Sequence, residues 1–455
     1  MKKCVSWCAV VVSLLLLACG VPQIRAEVTL PKVIGSHMVL QRERPLPIWG
    51  WAAPGEEVTV RLDDATVAAK ADPQGDWKVV LPAVKADGKA HCLTVSGKNK
   101  IELDDILVGD VWIGSGQSNM EMGIGACDKA KEEIPAANCP QMRLMLVPKV
   151  QVAAPAKDVK ADWVVCSPKT VAAGGWGGFS AALYYFGQRL HKELDVPMGL
   201  IDSSWGGSPI EPWTISGGKG GGMYNGMIAP LEPLAIRGAI WYQGESNCGN
   251  GLKYYDKMKA LIEGWRKVWG YDFPFYFVQI APFAGYGPGS LPPLWEAQVA
   301  SLKIPGTGMA VTTDIVENIK DIHPRDKVDV GNRLALWALA KEYGKRDVVY
   351  SGPLYKSMQV EGNKLRLSFA QAGGGLKSRD GKPLSEFEIA AADGKFVAAQ
   401  ATIDGQTVVV EAQAVAAPTQ ARFGWRNQAN PNLANKEGLP ASPFQTNNWQ
   451  GGTGE

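Results

Sequence analysis

The feature that most constrains the fold is an alternation of short apolar runs with amphipathic, helix-period segments across the middle of the chain. The apolar runs lie at 106–113, 143–147, 198–201, 238–242 and 275–280. Helix-period segments such as 252–269 lie between several of them. This alternation is typical of a parallel sheet with helices on both faces. The sequence therefore predicts an α/β domain over residues 106–345, with three α/β/α layers.

The segments on either side of this region have a different pattern. Residues 27–105 and 346–455 contain short runs that alternate apolar and polar residues, with turn signals such as Pro54-Gly55 between them. A period of two is typical of strands with one buried face. We therefore expect an N-terminal β domain at 27–105, and a C-terminal β domain with a tail at 346–455, both similar to β-sandwiches.

The first 26 residues have the parts of a signal peptide. Lys2 and Lys3 precede an apolar core at 10–17, and small residues follow. Two processing sites compete, because cleavage after Ala26 suits an ordinary signal, whereas Leu16-Leu17-Ala18-Cys19 resembles a lipobox and would leave a lipid anchor at Cys19. In both cases we expect export to the periplasm or the extracellular space. No later apolar run is long enough to span a membrane.

Composition and cysteine content exclude several classes of protein. The chain is 46% hydrophobic and 20% charged with a net charge of +2, and it has no basic stripe for a nucleic acid. Five cysteines follow Ala26, none with zinc-ligand spacing, so we expect no metal. Cys127 and Cys139 enclose a short polar loop and are the best candidates for a disulfide, and the odd total leaves at least one cysteine free or paired with another chain.

A serine stands where the first apolar run of the α/β region meets a helix. Gly116-Gln117-Ser118-Asn119-Met120 follows the run directly, and a strand-to-helix turn is where α/β hydrolases hold their nucleophile. A serine hydroxyl is a weak nucleophile at neutral pH. It needs a base within hydrogen-bonding distance and a third group that orients the base.

The base must come from four histidines. His37 and His91 fall in β-like stretches and His191 lies on an amphipathic helix at 179–194, so structural roles explain these three. His323 stands between an apolar run and a helix, in Asp321-Ile322-His323-Pro324. It lies 205 residues after Ser118, which is the span of one open α/β domain, and is the candidate base.

Two polar, glycine-bearing loops follow further apolar runs, at 202–208 and 241–247. Ligands of open α/β sheets bind at the carboxyl ends of the strands, where a glycine N–H or an amide side chain can hold an oxyanion. Each motif alone is commonly a helix cap or an ordinary loop. Their joint occurrence favours a single crevice formed by Ser118, Gly206, Gln243, Glu245 and His323.

Five motifs occur in order: Gly-Gln-Ser-Asn-Met (116–120), Trp-Gly-Gly-Ser-Pro-Ile-Glu-Pro-Trp (205–213), Tyr-Asn-Gly-Met-Ile-Ala-Pro-Leu (224–231), Trp-Tyr-Gln-Gly-Glu-Ser-Asn (241–247) and Asp-Ile-His-Pro-Arg-Asp-Lys (321–327). This set resembles the sialate O-acetylesterase family, a branch of the SGNH hydrolases. The resemblance extends over nearly the whole mature chain. It implies an SGNH-type α/β/α core and a serine esterase that removes acetyl groups from carbohydrates without a cofactor or metal.

The resemblance also implies residue roles. Ser118 would be the nucleophile and His323 the base, and the oxyanion donors would be the Ser118 N–H with Gly206 or Gly207 and with Gln243 or Asn247. Candidate substrate-binding residues are Gln117, Asn119, Trp205 and Trp241. Of the sixteen tryptophans, several others lie in or near loops that would rim the crevice: Trp176, Trp213 and Trp295. Aromatic rings can stack on sugar faces, although packing explains buried tryptophans equally well.

The orienting carboxylate has three readings. The usual SGNH pattern places an aspartate three residues before the histidine, where this chain has Lys320. Asp321 is two residues before it, and Glu245 competes for the role. A serine–histidine dyad assisted by a backbone carbonyl is the third possibility.

The substrate also stays open at this level. Removal of acetyl from 9-O-acetyl sialic acid is the first expectation, and acetylated xylan, xyloglucan or pectin is the alternative. A carbohydrate-binding β-sandwich protein whose α/β unit has lost catalysis is the reading from a different class.

Overall fold

A computed structural model of the protein describes residues 27–447. The predicted signal peptide at 1–26, with its two candidate processing sites at Cys19 and Ala26, lies outside the described residues.

Seven strands precede the first helix: β1 (Val39–Gln41), β2 (Leu46–Trp51), β3 (Glu57–Leu62), β4 (Ala65–Lys70), β5 (Asp76–Leu81), β6 (His91–Ser96) and β7 (Lys100–Gly116). Strand β3 pairs antiparallel with β4 and β6, and β2 pairs antiparallel with β5. Inward residues alternate with exposed ones, as in β3, where Val58, Val60 and Leu62 are buried. The period-two pattern of the sequence thus produces strands with one buried face.

Strand β7 belongs to two parts of the fold. Its first residues pair antiparallel with β6, and its last residues lie parallel between two strands of the central sheet. Exposure alternates over 100–105, whereas every residue of 106–116 is buried. The domain boundary predicted between 105 and 106 therefore falls inside a continuous strand, and one hydrophobic core joins the two parts.

The following strands are β8 (Cys139–Leu146), β9 (Val164–Cys166), β10 (Met198–Ser204), β11 (Ile215–Ser216), β12 (Lys219–Gly220), β13 (Gly238–Tyr242), β14 (Phe275–Val278) and β15 (Thr307–Ala310). The central sheet has the order β15-β14-β13-β7-β10-β8-β9. Only the edge strand β9 runs antiparallel to its neighbour along this path. The predicted α/β region with a mostly parallel sheet is confirmed, and β11 and β12 form a separate hairpin.

The α-helices are α1 (Ser118–Glu121), α2 (Ala130–Ala136), α3 (Pro168–Val171), α4 (Ala181–Leu194), α5 (Tyr254–Trp269), α6 (Leu291–Ala300) and α7 (Lys327–Lys341). The Ser180 hydroxyl caps α4, and the Asp326 carboxylate caps α7. Helices α4 and α7 pack closely, because a Cβ atom on Gly331 would lie 2.6 Å from the Tyr185 Cβ. This contact fixes α7, and with it the loop that carries His323.

The C-terminal region is built from β16 (Leu354–Glu361), β17 (Lys364–Ala370), β18 (Leu376–Ser378), β19 (Phe387–Ala390), β20 (Val397–Ala398), β21 (Gln400–Asp404), β22 (Thr407–Glu411), β23 (Gln420–Phe423), β24 (Leu433–Asn435) and β25 (Phe444–Gln445). Its two four-stranded sheets have the orders β16-β17-β22-β21 and β20-β19-β23-β25. Residues such as Leu367, Ile389 and Phe423 form a hydrophobic core of its own. Additional β regions therefore follow the α/β sheet as well as precede it.

The predicted disulfide between Cys127 and Cys139 is corrected. Both side chains are free thiols, and Cys139 lies opposite Cys166 in the β8–β9 pairing instead. The short polar loop suggested the pair, but the Cys127 side chain turns inward, where its Sγ contacts the Gly123 carbonyl.

Within residues 27–447, no helix has both the length and the apolar character that a membrane crossing requires. The same residues contain no cluster of three or more His, Cys, Asp or Glu side chains suited to a metal ion.

Candidate active site

The nucleophile turn depends on a glycine at the end of β7. Gly116 has a φ of 135°, and a Cβ atom there would lie 2.2 Å from the Tyr242 carbonyl oxygen. Only glycine adopts this conformation and permits this approach. The next backbone N–H, of Gln117, donates to the same carbonyl at 3.0 Å. Ser118 is thereby held at the first position of α1, beside the neighbouring strand β13.

Ser118 and His323 meet across the carboxyl ends of the strands. The Ser118 Oγ lies 2.9 Å from the His323 Nε2, within hydrogen-bonding distance. The Trp176 ring and the imidazole pack edge to face, with 4.7 Å between ring centroids. Burial lowers the pKa of His323 below its ordinary 6.5, the nearby Lys327 charge lowers the pKa further, and Asp321 opposes them. The imidazole is therefore neutral, and able to accept a proton, at neutral pH.

Neither candidate orienter forms a hydrogen bond with the imidazole. Asp321 Oδ1 accepts the His323 backbone N–H at 2.9 Å and lies 3.6 Å from Nδ1, which is ion-pair contact rather than a hydrogen bond. Glu245 is buried, and its Oε1 accepts from Asn119 Nδ2 at 2.6 Å. Asp321 is thus the carboxylate beside the ring, and Glu245 lies behind the site.

Asn119 connects the nucleophile helix to the loop of the base. Its Nδ2 also donates to the Ile322 carbonyl at 3.0 Å, and its Oδ1 accepts from Lys327 Nζ at 2.8 Å. Lys327 Nζ also donates to the Pro324 carbonyl. The carbonyls on both sides of His323 are therefore held by one network. We call Glu245, Asn119 and Lys327 the buried relay.

Lys327 is the main functional residue that sequence reasoning missed. It is fully buried at the start of α7, 5.3 Å from the centre of the Tyr242 ring, and burial lowers its pKa to about 8. A buried lysine requires compensating partners, which the relay supplies. A signal was present in the sequence, because Lys327 lies on the same helical face as Val330, Gly331 and Leu334, all of which are buried.

A second network accounts for the polar residues of the 241–247 segment. Gln243 Nε2 donates to Gln117 Oε1 at 3.0 Å and to Asn247 Oδ1 at 2.7 Å, and the Tyr254 hydroxyl donates to Gln243 Oε1. Asn247 Nδ2 donates to Glu211. The expectation that Gln243 and Asn247 point at an oxyanion, and that Gln117 and Asn119 contact substrate, is therefore corrected. These four residues are at most 4% exposed, and their amide groups bond to other protein groups.

The tryptophans near the site are of two kinds, buried and partly exposed. Trp241 is 1% exposed and packs edge-on against Trp213 and Trp265, so it cannot stack on a sugar, and its assignment to substrate binding is corrected. Trp205 is half-buried, and its backbone N–H donates to the Gly116 carbonyl. Trp176 is 42% exposed beside His323. Trp176 and Trp205 are the rings that can reach a ligand at the crevice.

Gly206 lies directly beside the nucleophile, since a Cβ atom there would be 3.4 Å from the Ser118 Cβ. Its backbone N–H donates to Glu121 Oε2 at 2.5 Å, and Glu121 Oε1 pairs with Lys149 Nζ at 2.5 Å. Gly207 follows, exposed and with a positive φ of 73°. No sequence pattern predicts that the Glu121 carboxylate accepts the Gly206 N–H.

Comparisons with known proteins agree with this geometry. A family model described as "Carbohydrate esterase, sialic acid-specific acetylesterase" matches residues 108–340, about half of the chain. Sialate O-acetylesterase from Homo sapiens is 32% identical over 399 residues, covering 74% of this chain and 76% of the human protein. The Mus musculus protein of the same name is 31% identical over 412 residues, covering 72% of this chain and 76% of its own.

A solved structure extends the similarity to the whole fold. The crystal structure of a carbohydrate acetylesterase from Xanthomonas citri superimposes with a TM-score of 0.87 at 39% identity, covering 93% of this chain and 100% of that one. The family predicted from the motifs is confirmed. The chain belongs to the carbohydrate esterase family of sialic acid-specific acetylesterases and is a carboxylic ester hydrolase.

Proposed function

We propose that this protein is a serine esterase that removes O-acetyl groups from carbohydrates, with 9-O-acetyl sialic acid as the first candidate substrate. The observation that carries the proposal is the 2.9 Å contact between Ser118 Oγ and His323 Nε2 at the carboxyl ends of a parallel sheet. The family membership supplies the substrate class.

In the proposed reaction, Ser118 Oγ attacks the acetyl carbonyl carbon while His323 Nε2 takes the hydroxyl proton. His323 then donates this proton to the sugar oxygen as the ester bond breaks, which leaves an acetyl group on Ser118. A water molecule, deprotonated by His323, attacks the acetyl-enzyme and releases acetate. The lowered pKa of His323 supports this role, because only the neutral ring accepts the first proton.

The proposed oxyanion donors are backbone groups. Ser118 is the first residue of α1, and the first N–H groups of a helix have no partner within the helix. Gly206 supplies the second N–H and adjoins Ser118, with Gly207 next along the loop. Glu121 holds the Gly206 N–H, so the acetyl oxygen must compete with this carboxylate for it. Lys149 would hold the displaced carboxylate aside.

The buried relay is proposed to position the base. It bonds the carbonyls of Ile322 and Pro324 through Asn119 and Lys327, so the His323 loop keeps a fixed distance from the nucleophile helix. Pre-positioning of this kind lowers the entropy cost of reaching the transition state. Asp321 is proposed to contribute charge to the imidazolium rather than a hydrogen bond, because of its 3.6 Å separation from Nδ1.

We also propose that the core has SGNH-type α/β/α layers, and that the chain is exported, with or without a lipid at Cys19. Support for the layering comes from the parallel sheet order and from the close packing of α4 against α7. Support for export comes from the charged and apolar segments at the start of the sequence.

A plant polysaccharide acetyl esterase is the second candidate. It is favoured by the Xanthomonas citri neighbour, which is a carbohydrate acetylesterase. A non-catalytic carbohydrate-binding protein is the third reading, and the Ser118–His323 contact argues against it because a decayed site has no need to keep both groups in register.

The test is acetate release from p-nitrophenyl acetate, from acetylated mucin sialoglycans, and from acetylated xylan, xyloglucan and pectin. We expect Ser118→Ala to reduce kcat by about ten-thousandfold or more. The matched control is Ser216→Ala, at an exposed serine of β11, which should retain wild-type rates. Unchanged acetate release in Ser118→Ala would overturn the esterase mechanism. Release from the sialoglycans alone or from the plant polymers alone decides between the two substrate classes.

A further inference from the structure

A cleft of about 620 Å³ lies between the N-terminal strands and two loops of the α/β region. Strands β2 and β5 form its floor, and residues 155–157 and 229–233 contribute to its walls. None of its lining residues belongs to the Ser118–His323 site or to the buried relay. Clefts of this size at the junction of two structural units are common ligand sites.

The floor of the cleft carries two tryptophans on one face of a strand. Exposure alternates along β2, so Ile48 and Gly50 point inward while Trp49 and Trp51 are half-buried on the other face. Residues two apart on a strand share a face and lie about 7 Å apart. This spacing suits two neighbouring rings of a sugar chain.

Charged side chains lie directly beside the two rings. In the antiparallel β2–β5 register, Trp49 is opposite Lys78, and Trp51 is opposite Asp76. Directly opposite residues on one face of a sheet are in side-chain contact range. Each ring therefore has a hydrogen-bonding group at its edge, where the hydroxyls of a stacked sugar would lie.

Trp49 packs partly against the hydrophobic core, and both indoles keep some exposed surface. Within residues 27–447, neither Trp49 nor Trp51 packs ring against ring with another aromatic side chain. The Trp77 ring is not part of this face, because Trp77 is opposite Gly50 on the buried side of the β2–β5 pair and is 3% exposed. The two indoles of β2 therefore present partly exposed aromatic surface on one side of the cleft, which a stacked ligand can cover.

The charge of the cleft selects a class of sugar. Three cationic and three anionic side chains line it: Lys70, Lys78, Lys157, Asp72, Asp76 and Glu232. Asp76 and Lys157 already pair at 2.8 Å. The cleft has no excess positive charge with which to hold an anionic sialic acid. A neutral pyranose, with its apolar face and its rim of hydroxyls, matches stacked indoles with donors and acceptors at their edges.

We propose that this tryptophan cleft binds a neutral glycan chain, with Trp49 and Trp51 stacking on successive sugar rings and Lys78 and Asp76 bonding their hydroxyls. The choice of a sugar as the ligand rests on the carbohydrate esterase function proposed above. The cleft would hold a neutral polymer that carries the acetyl groups, which favours the second substrate candidate over sialic acid, while Ser118 acts on the ester at a separate place.

The test measures binding in the Ser118→Ala background, so that no substrate is consumed. Native affinity electrophoresis through gels containing xyloglucan, xylan or sialylated mucin should show retardation by a neutral plant polymer and none by the mucin. Trp49→Ala and Trp51→Ala should each weaken the binding by about tenfold, because each removes one stacked ring. Trp51→Tyr should retain most of it. Val360→Ala, at an exposed residue of β16, is the surface control and should bind like the parent.

Melting temperatures of all variants show whether a loss of binding reflects unfolding. Retention of full affinity in the Trp49→Ala/Trp51→Ala double variant would overturn the proposal, as would a parent that binds none of the neutral polymers. If sialylated mucin retards the parent protein but not the double variant, the cleft binds an anionic glycan, and the proposal of a neutral ligand is wrong. Failure of the esterase proposal is distinguishable from this. In that case the wild-type protein would release no acetate from p-nitrophenyl acetate but would still bind the glycan.

Discussion

The front and the rear of the catalytic crevice are built in opposite ways. At the front, Ser118 and His323 share one hydrogen bond, and the imidazole side chain is 26% exposed. At the rear, Asn119, Lys327 and Gln243 are fully buried and each bonds to at least two partners. Proton transfer requires groups that are free to change partners. Positioning requires groups that keep their partners. Buried polar groups do so, because leaving such a group unpaired costs free energy.

This difference implies that the rear sets the geometry and the pKa of the front. Lys327 lowers the pKa of His323 without touching it, and Asn119 fixes the loop that carries it. Variants in the rear should therefore change the stability and the pH profile together. Variants at the front should change the rate or its pH dependence with little change in stability.

The largest expected effect outside the nucleophile is that of Lys327→Met. It removes the bonds to Asn119 and Pro324 and leaves Glu245 as a buried charge without its cation. We expect the free energy of unfolding to fall by about 3–5 kcal/mol and kcat to fall by about a hundredfold. Because the Lys327 charge disfavours the imidazolium, its loss should raise the pKa of His323. The acidic limb of the kcat/KM profile should then move to higher pH.

The control for this variant is Lys341→Met, at an exposed lysine of the same helix that lies over the Tyr350 ring. It should keep the wild-type rate and pH profile. A Lys327→Met protein that loses stability but keeps both the rate and the acidic limb would show that Lys327 is structural only. Stopped assays at several pH values, with thermal melts, measure all three quantities.

Variants of the two candidate orienters, Asp321 and Glu245, should differ in the same way, one in rate and the other in stability. Asp321 lies at the front, half-exposed and 3.6 Å from His323 Nδ1, so Asp321→Asn should reduce kcat by about tenfold with little change in melting temperature. Since Asp321 raises the pKa of His323, its removal should move the acidic limb to lower pH. Glu245→Gln keeps an acceptor for Asn119 but leaves Lys327 without its counter-charge, so its main effect should be a lower melting temperature.

A different result for Glu245→Gln would contradict this assignment. A loss of about ten-thousandfold in Glu245→Gln, at an unchanged melting temperature, would make Glu245 the orienter of the imidazole, since a wrong tautomer produces a loss of that size. Such a protein would require the relay to reorganise when substrate binds.

The sequence predicted the front of the site better than the rear, for a physical reason. Ser118 and His323 stand at strand ends, where a turn signal and the order of the strands place a residue without knowledge of its side-chain direction. Gln243 and Trp241 stand at the same sheet edge, yet both are buried. Which way a side chain points at the end of a strand is decided by its neighbours, here Gln117, Tyr254 and Trp213, which are distant in sequence.

The fold shows the same limit. Period-two and helix-period patterns predicted the strands and helices of the α/β region, because local burial follows them. The boundary at 105/106 was placed where the pattern changes, but the backbone continues through it as β7. A strand shared by two sheets changes its exposure pattern without a break in the chain. Pattern alone therefore marks where the environment changes and not where a structural unit ends.

The smallest expected effect is at Glu121, where front and rear meet. Its carboxylate accepts the Gly206 N–H beside Ser118 and is paired with Lys149, so it places negative charge where an oxyanion would develop. Glu121→Gln should raise kcat/KM by about fivefold, since a like charge at this separation in a partly solvated site costs about 1 kcal/mol. The gain should shrink as salt is added.

The matched control is Glu193→Gln, in a surface ion pair with Arg189, which should leave kcat/KM unchanged. A fall in kcat/KM for Glu121→Gln would instead mean that the carboxylate holds the Gly206 loop in its working position, and Glu121 would then belong to the rear.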